Sequence, residues 1–242
     1  MRVLLLGGTA EARELAGRLH PDIEVVSSLA GRVADPALPV GPVRVGGFGG
    51  VAGLRDWLAA HRVGAVVDAT HPFAAGITAN AAQACAELGL AHLVLSRPPW
   101  DPGSARRVDS DSEAATAVAA QGYSRVFLTT GRSGVHAFAG SGAWFLIRVV
   151  SPPDPHSLPR DHELLLSRGP YRLSDEHALI AGHRIEVLVT KNSGGDMTRA
   201  KIDAADALGV DVVMIERPPL PAGVSVVATV TQAQEWVLGQ QG

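Results

Sequence analysis

An α/β fold of two lobes, each built on a mainly parallel sheet and with a cleft between them, is predicted by three observations. Short apolar runs alternate with helix-like stretches along most of the chain. Three of these runs end in a loop of small and polar residues that opens into the next helix-like run: 4–10 (LLLGGTA), 66–73 (VVDATHPF) and 187–195 (VLVTKNSGG). The alternation breaks in a Pro-rich stretch at 97–103 (RPPWDPG) and resumes beyond it, which reads as a linker between lobes.

The first lobe is expected over 1–98. Its strands are predicted at 3–6, 23–27, 43–45, 65–69 and 92–95, short runs rich in Val, Leu and Ile, with helices over 11–19, 54–61 and 74–88. The second lobe is expected over 99–242. Strands there fall at 107–109, 126–129, 145–149, 163–166, 185–190, 212–215 and 224–227, and helices at 112–121, 135–139, 175–181, 198–208 and 232–238. The run at 152–159 carries several prolines and reads as a surface loop.

Composition narrows the function classes. At 242 residues and 46% hydrophobic, the chain can bury one large core or two smaller ones. Twenty-one basic residues against 24 acidic ones give a net charge of −3, which gives no support for non-specific DNA binding. Aromatic residues are only 5%, too few for a base-stacking platform. Cys85 is the one cysteine, so neither an intrachain disulfide nor a cysteine-based metal cluster is expected, and its Ala-rich surroundings suit a buried helix position. The nine histidines lack ligand spacing, so no metal site is expected. The opening MRVLLLGG starts at once with a strand whose apolar run is too short for a signal peptide or a membrane span, and a soluble cytoplasmic protein is expected. The chain has 19 Arg but only two Lys, Lys191 and Lys201, and both flank the third loop.

Strand ends that open into helix N-termini hold ligands in parallel α/β proteins, because unpaired N–H groups and the helix dipole face an incoming anion. Gly7, Gly8, Thr9 and Ala10 follow the first strand. Small residues there let a phosphate approach the backbone, with Thr9 as a hydroxyl donor. The third glycine of the dinucleotide fingerprint is missing, and the same residues suit a tight turn capped by Thr9. About twenty residues on, where NAD enzymes place a carboxylate against the ribose, the second strand ends Ser27, Ser28, Leu29, Ala30, Gly31, Arg32. An arginine with serine hydroxyls suits a 2′-phosphate and points to NADPH.

The second loop sets Thr70 and His71 at a strand end, with Pro72 expected at the first helical position. His71 titrates near neutrality when unperturbed and can donate a hydrogen bond or a proton, or cap its helix. In the second lobe, Thr129, Thr130, Gly131 and Arg132 end one strand, and Lys191, Asn192, Ser193, Gly194 and Gly195 end another, with Lys201 in the helix that follows. Cations, an amide and flexible backbone suit carboxylates or phosphates. Two echoes, SRPP at 96–99 and ERPP at 216–219, follow strands, and their Arg97 and Arg217 are either connectors or cleft residues. Tyr123 and Tyr171 lack a lysine four residues on, which excludes short-chain dehydrogenase chemistry. No Walker loop, H-E-x-x-H or G-x-S-x-G is present.

The segments LLLGGTAEAREL, SLAGR, GGFGGVAGL, DATHPFA, SRPPW, TTGR and TKNSGGDMTRAKIDAA, followed by VVMIERP, run in order from residue 4 to residue 219. Together they resemble the precorrin-6A reductase family of cobalamin biosynthesis. The resemblance implies two Rossmann-like lobes and NADPH-dependent hydride transfer to a conjugated tetrapyrrole carrying acetate and propionate groups. The reaction takes precorrin-6A to precorrin-6B, or acts on the cobalt-bound equivalent. It also implies transient contact with neighbouring pathway enzymes.

On that footing Gly8, Thr9 and Ala10 are expected to hold the pyrophosphate and Ser28, Gly31 and Arg32 the 2′-phosphate. Thr70 and His71 would approach the nicotinamide. Thr130, Arg132, Lys191, Asn192, Ser193, Gly194, Gly195 and Lys201 would face the substrate. His71, Lys191 and a bound water are the candidate proton donors. Two other readings remain open: a reductase of a different conjugated anion, and a non-catalytic NADPH-sensing module.

Overall fold

The structure, a computed structural model, describes residues 1–31 and 37–241. It divides into two compact units, Met1–Pro98 with Pro218–Gly242, and Pro99–Arg217. The first unit opens with β1 (Arg2–Leu6), α1 (Ala10–Leu19), β2 (Glu24–Leu29), β3 (Val43–Val45), α2 (Gly50–Ala60), β4 (Val63–Asp68), α3 (Ala75–Leu88) and β5 (Ala91–Leu95). The second holds β6 (Arg106–Val108), α4 (Asp111–Gln121), β7 (Arg125–Thr129), β8 (Trp144–Val149), β9 (His162–Leu166), α5 (Leu173–Gly182), β10 (Val187–Lys191), α6 (Ala200–Leu208) and β11 (Asp211–Ile215), with a 3-10 turn at Val135–Phe138. The chain then returns to the first unit with β12 (Ser225–Val227) and α7 (Val230–Gly239).

Each unit carries one six-stranded parallel sheet, in the orders β12-β5-β4-β1-β2-β3 and β6-β11-β10-β7-β8-β9. Counted outward from β1 or β7, both follow the same 3-2-1-4-5 pattern, in which the strand order reverses between first and fourth strands. The sixth strand of each sheet comes from elsewhere in the chain: β12 completes the first sheet and β6 the second. This differs from the sequence expectation of a second lobe running unbroken over 99–242. The reason is burial. Val226 and Val227 pair with Val94 and Leu95 of β5, and α7 buries Val230, Ala233 and Val237 in the first unit's core, where its apolar stripe finds its cover.

Both faces of the first sheet are buried, as helix crossovers on a parallel sheet require. Val3, Leu5, Val67 and Leu93 pack with Leu15 and Leu19 of α1 and Val237 of α7. Leu4, Leu6 and Val66 point the other way, onto Leu54 and Leu58 of α2 and Ala81, Ala84 and Cys85 of α3. Burial pushes the Cys85 thiol up to about 12, the condition of an inert core cysteine. In the second unit Phe127, Leu146, Leu188 and Met214 pack against Ile180, Ile202 and Ala205. A buried bidentate pair, Arg148 to Glu176 at 2.9 and 2.7 Å, lies in the same unit.

Most element boundaries shift by a residue or two from the sequence reading, and two of the differences bear on the loops. The second helix begins at Gly50, four residues before the expected Leu54, because the glycines of GGFGG carry no hydropathic signal. Pro72 is not at a helix start. It occupies the second position of a turn closed by the Ala74 amide on the His71 carbonyl at 2.7 Å, and α3 begins only at Ala75. The fixed φ of proline serves either position.

Candidate active site

In the first unit the β1–α1 loop lies at the sheet's order reversal, next to the end of β4. Gly8 has φ +113°, a backbone that favours glycine, and no atom lies within 4 Å of where a Cβ would stand. The loop therefore presents backbone with open space beside it. Thr9 is the N-cap of α1. Its hydroxyl oxygen accepts from the Ala12 amide at 3.1 Å, and the hydroxyl donates to the Ala69 carbonyl at 2.7 Å. The expected hydroxyl donor to a phosphate is thus already committed. What Thr9 does instead is tie the β1 loop to the β4 loop. The Gly7 N–H donates to the Ser28 carbonyl at 3.0 Å, so the loop's offer to an anion is the N–H groups of Gly8, Thr9 and Ala10.

At the end of β2, Ser28 is buried, and its neighbour in β3, Arg44, donates to its hydroxyl oxygen at 3.2 Å. Gly31 follows with φ +72°. Arg32 lies outside the described residues.

The β4 loop is organised by Asp68, which is buried in the sheet. Its Oδ1 accepts from both the Thr70 amide at 3.0 Å and the Thr70 hydroxyl at 2.6 Å. The Thr70 hydroxyl proton points inward, so toward a ligand Thr70 can only accept. His71 is exposed, and its Nδ1 accepts from the Phe73 amide at 3.3 Å, which puts the ring proton on Nε2. Near the end of β5, Arg97 pairs with Glu11 of α1 at 2.9 Å.

In the second unit the matching edge brings Thr130 and Lys191 together. Lys191 Nζ donates to the Thr130 carbonyl at 2.8 Å and stands 3.5 Å from Asp111 Oδ2, at the start of α4. Thr130 is buried, and among the described residues its hydroxyl and Asp111 Oδ1 have no hydrogen-bond partner. Arg132 is exposed and borders a cavity of about 430 Å³ that is also lined by Ser133, His136, Asp154 and Ser157. His136 Nδ1 lies 2.7 Å from the Ser133 carbonyl oxygen, so it carries the proton there.

The loop after β10 is held down by its own residues. Asn192 is 2% exposed, with Oδ1 accepting from the Trp100 amide at 2.8 Å and Nδ2 donating to the Trp100 carbonyl at 3.2 Å. Trp100 returns a bond from its indole N–H to the Gly195 carbonyl at 2.8 Å. Arg217 donates to the carbonyls of Asn192 and Ser193 at 2.8 and 3.0 Å. Gly194 and Gly195, at φ 67° and 74°, let the chain reverse between these anchors. Lys201 is buried: its ammonium donates to the Thr198 carbonyl at 2.9 Å and lies 4.8 Å from the Trp100 ring centroid. Burial, and after it the Arg148 charge, bring its pKa down to about 7, against the opposing pull of Glu176.

Asn192 and Lys201 therefore support the loop from below, whereas Ser193 and the two glycines form its turn. Sequence reasoning took Trp100 as linker and passed over Asp111, Arg44 and Asp68. Asp68 lies within the DATHPF motif and Trp100 ends the SRPPW segment, whereas Asp111 and Arg44 reach their loops through tertiary pairing.

Two parallel sheets in this strand order, with loops of exposed backbone and basic side chains at their strand ends, define a Rossmann-type α/β protein. The profile of the precorrin-6x reductase CbiJ/CobK family matches residues 2–238. The chain belongs to this family of oxidoreductases. It is 69% identical over 238 residues to the precorrin-6A reductase of Mycobacterium tuberculosis, covering 98% of both chains. It is 54% identical to that of Rhodococcus erythropolis, covering 98% and 97%. The cobalt-precorrin-6A reductase of Methanothermobacter thermautotrophicus is 30% identical, covering 90% of this chain and 77% of the other. A solved structure described as CobK precorrin-6A reductase superposes with a TM-score of 0.90 at 40% identity, covering 99% of this chain and 97% of that one.

No helix among the described residues is long and apolar enough to cross a membrane.

Proposed function

We propose that this chain catalyses the NADPH-dependent reduction of precorrin-6A to precorrin-6B in cobalamin biosynthesis. The observation that carries this reading is end-to-end identity of 69% with a precorrin-6A reductase. Relatives named for the cobalt-bound substrate match at 28–30%, whereas those named for precorrin-6A match at 41–69%. This favours the cobalt-free substrate.

A dinucleotide suits the first unit: the strand order reverses beside Gly8, whose surroundings are open, and β2 ends without a carboxylate. The N–H groups of Gly8, Thr9 and Ala10 hold the pyrophosphate at the start of α1. Ser28 and Gly31 at the end of β2, and Arg32 on the strength of the sequence alone, would hold the 2′-phosphate. Thr70 accepts from the carboxamide of the nicotinamide ring. When bound, NADPH supplies the hydride, and a proton delivered to a neighbouring carbon of the macrocycle completes the addition of two hydrogens. Lys191 Nζ, paired with Asp111, or His71 Nε2 donates that proton. The substrate carboxylates are met by Arg132 and the cavity beside it, next to the turn of Ser193, Gly194 and Gly195. Asn192, Lys201 and the Thr130 carbonyl hold these groups in position.

The test is anaerobic incubation of the purified protein with precorrin-6A and NADPH, following NADPH oxidation and product mass together. Stoichiometric gain of two hydrogens is expected. Turnover only of the cobalt-bound substrate would move the assignment to that form. Tight NADPH binding with no turnover of either would leave a cofactor-sensing module.

A further inference from the structure

The GGFGG segment at 46–50 has no part in the site described so far, and Arg44, two residues before it, has entered only through its bond to Ser28. Arg44 lies opposite Ser28 in the β2–β3 ladder, so its guanidinium reaches the end of β2. In a Rossmann-type sheet that end faces the 2′ position of the adenosine ribose. Arg44 Nη1 donates to Ser28 Oγ at 3.2 Å and to the Gly46 carbonyl at 2.7 Å, and Nη2 donates to the Gly47 carbonyl at 2.8 Å. The Phe48 ring lies 3.7 Å from the guanidinium carbon and packs edge-on against Trp57 at 5.6 Å. A Cβ on Gly53 would overlap the Phe48 carbonyl, so glycine there lets the segment fold close against the first turn of α2.

These contacts fix the guanidinium without neutralising it. All three acceptors are uncharged, and no carboxylate forms an ion pair with Arg44 among the described residues. Of the five N–H groups, Nε–H and one on Nη2 have no acceptor among the described residues. Partial burial of the charge lowers the arginine's pKa, the mark of a cation held without a counter-charge. A half-buried charge in that condition favours an anion, and a guanidinium held in one orientation pays little further entropy to bind one.

We infer that Arg44, stacked on Phe48 and held by the Gly46 and Gly47 carbonyls, binds the 2′-phosphate of the adenosine ribose and sets the preference for NADPH over NADH. This rests on the cofactor reading above and gives the specificity to a residue in β3. The rival role is mechanical: a staple that closes the GGFGG segment and binds nothing.

The test uses 2′,5′-ADP and 5′-AMP as probes, with dissociation constants measured by calorimetry on the full chain for wild type, Arg44→Gln and Arg44→Lys. Wild type should prefer 2′,5′-ADP. Arg44→Gln should weaken 2′,5′-ADP at least tenfold and leave 5′-AMP within twofold. Arg44→Lys keeps the charge without the planar fork and should retain an intermediate preference; it also decides the matter if Arg44→Gln does not fold. Equal weakening of both probes, or an unchanged preference in Arg44→Lys, would make Arg44 a staple and overturn the inference while leaving NADPH in place. A wild type that does not distinguish the two probes would overturn the NADPH reading and this inference with it.

Discussion

Asn192 grips the backbone of Trp100 from both sides, Oδ1 on its amide at 2.8 Å and Nδ2 on its carbonyl at 3.2 Å, across 92 residues of chain. The pair is buried, so it joins the segment that enters the second unit to the loop after β10 without competition from water. Asn192→Leu leaves an amide and a carbonyl unpaired in the interior. Such groups cost about 1–3 kcal/mol each, so a loss of about 2–6 kcal/mol is expected in urea unfolding followed by tryptophan fluorescence. A loss below ~0.5 kcal/mol would mean that water replaces the amide and that the anchor is dispensable.

Lys201 gives a pH signature. A lysine in the unfolded chain titrates near 10.4, and in the folded protein burial brings this one to about 7. Between those values the unfolded chain holds a proton that the folded chain does not, so this group makes stability rise with pH, by up to ~1.4 kcal/mol per unit. Below pH 7 both states are protonated and the penalty is at its full size. Lys201→Met should therefore gain most over wild type at pH 6.5 and least near pH 9.5, whatever constant offset comes from the lost Thr198 and Trp100 contacts. Urea midpoints at several pH values decide it. Parallel curves for the two proteins would show that the ammonium stays charged in the core.

Strand and loop positions were readable from hydropathy because both faces of each parallel sheet are buried. Runs such as Leu4 to Leu6 and Val187 to Val189 have no other use in a folded chain. The route of the last 25 residues was not readable. Val226 carries no mark of whether it will pair with β5 or with a strand of the second sheet, and that choice rests on the edge each sheet leaves open. The open backbone expected of the first loop is present at Gly8, which has a positive φ and open space beside it. The site was misread where a polar side chain in the motif is used inward. Thr9, Asn192 and Lys201 look like ligand-facing groups in one dimension, yet each spends its hydrogen bonds on the protein. Asp111 and Arg44 gave no local signal, since each gains its meaning from a neighbour supplied by another strand.

Gly134 stands where the Lys191 arrangement is tightest. Its φ of −87° and ψ of −17° are open to any residue, so glycine is there for space. A Cβ would overlap both Asp111 Oδ1 and the Thr130 hydroxyl oxygen. Gly134→Ala should push the Asp111 carboxylate away from Lys191 Nζ, now 3.5 Å from Oδ2, and cost about 1–3 kcal/mol of stability as overpacking. If Lys191 delivers the proton, Gly134→Ala and Asp111→Asn should each lower kcat tenfold or more, while the dissociation constant for NADPH stays within twofold. Asp111→Ala removes one of the two overlapping atoms, so adding Gly134→Ala to it should cost less than in wild type, a coupling that a double-mutant cycle on urea midpoints measures directly. Additive costs would show that the alanine is accommodated elsewhere. An unchanged kcat in both single variants would take the proton from Lys191 and leave His71 or a bound water as the donor.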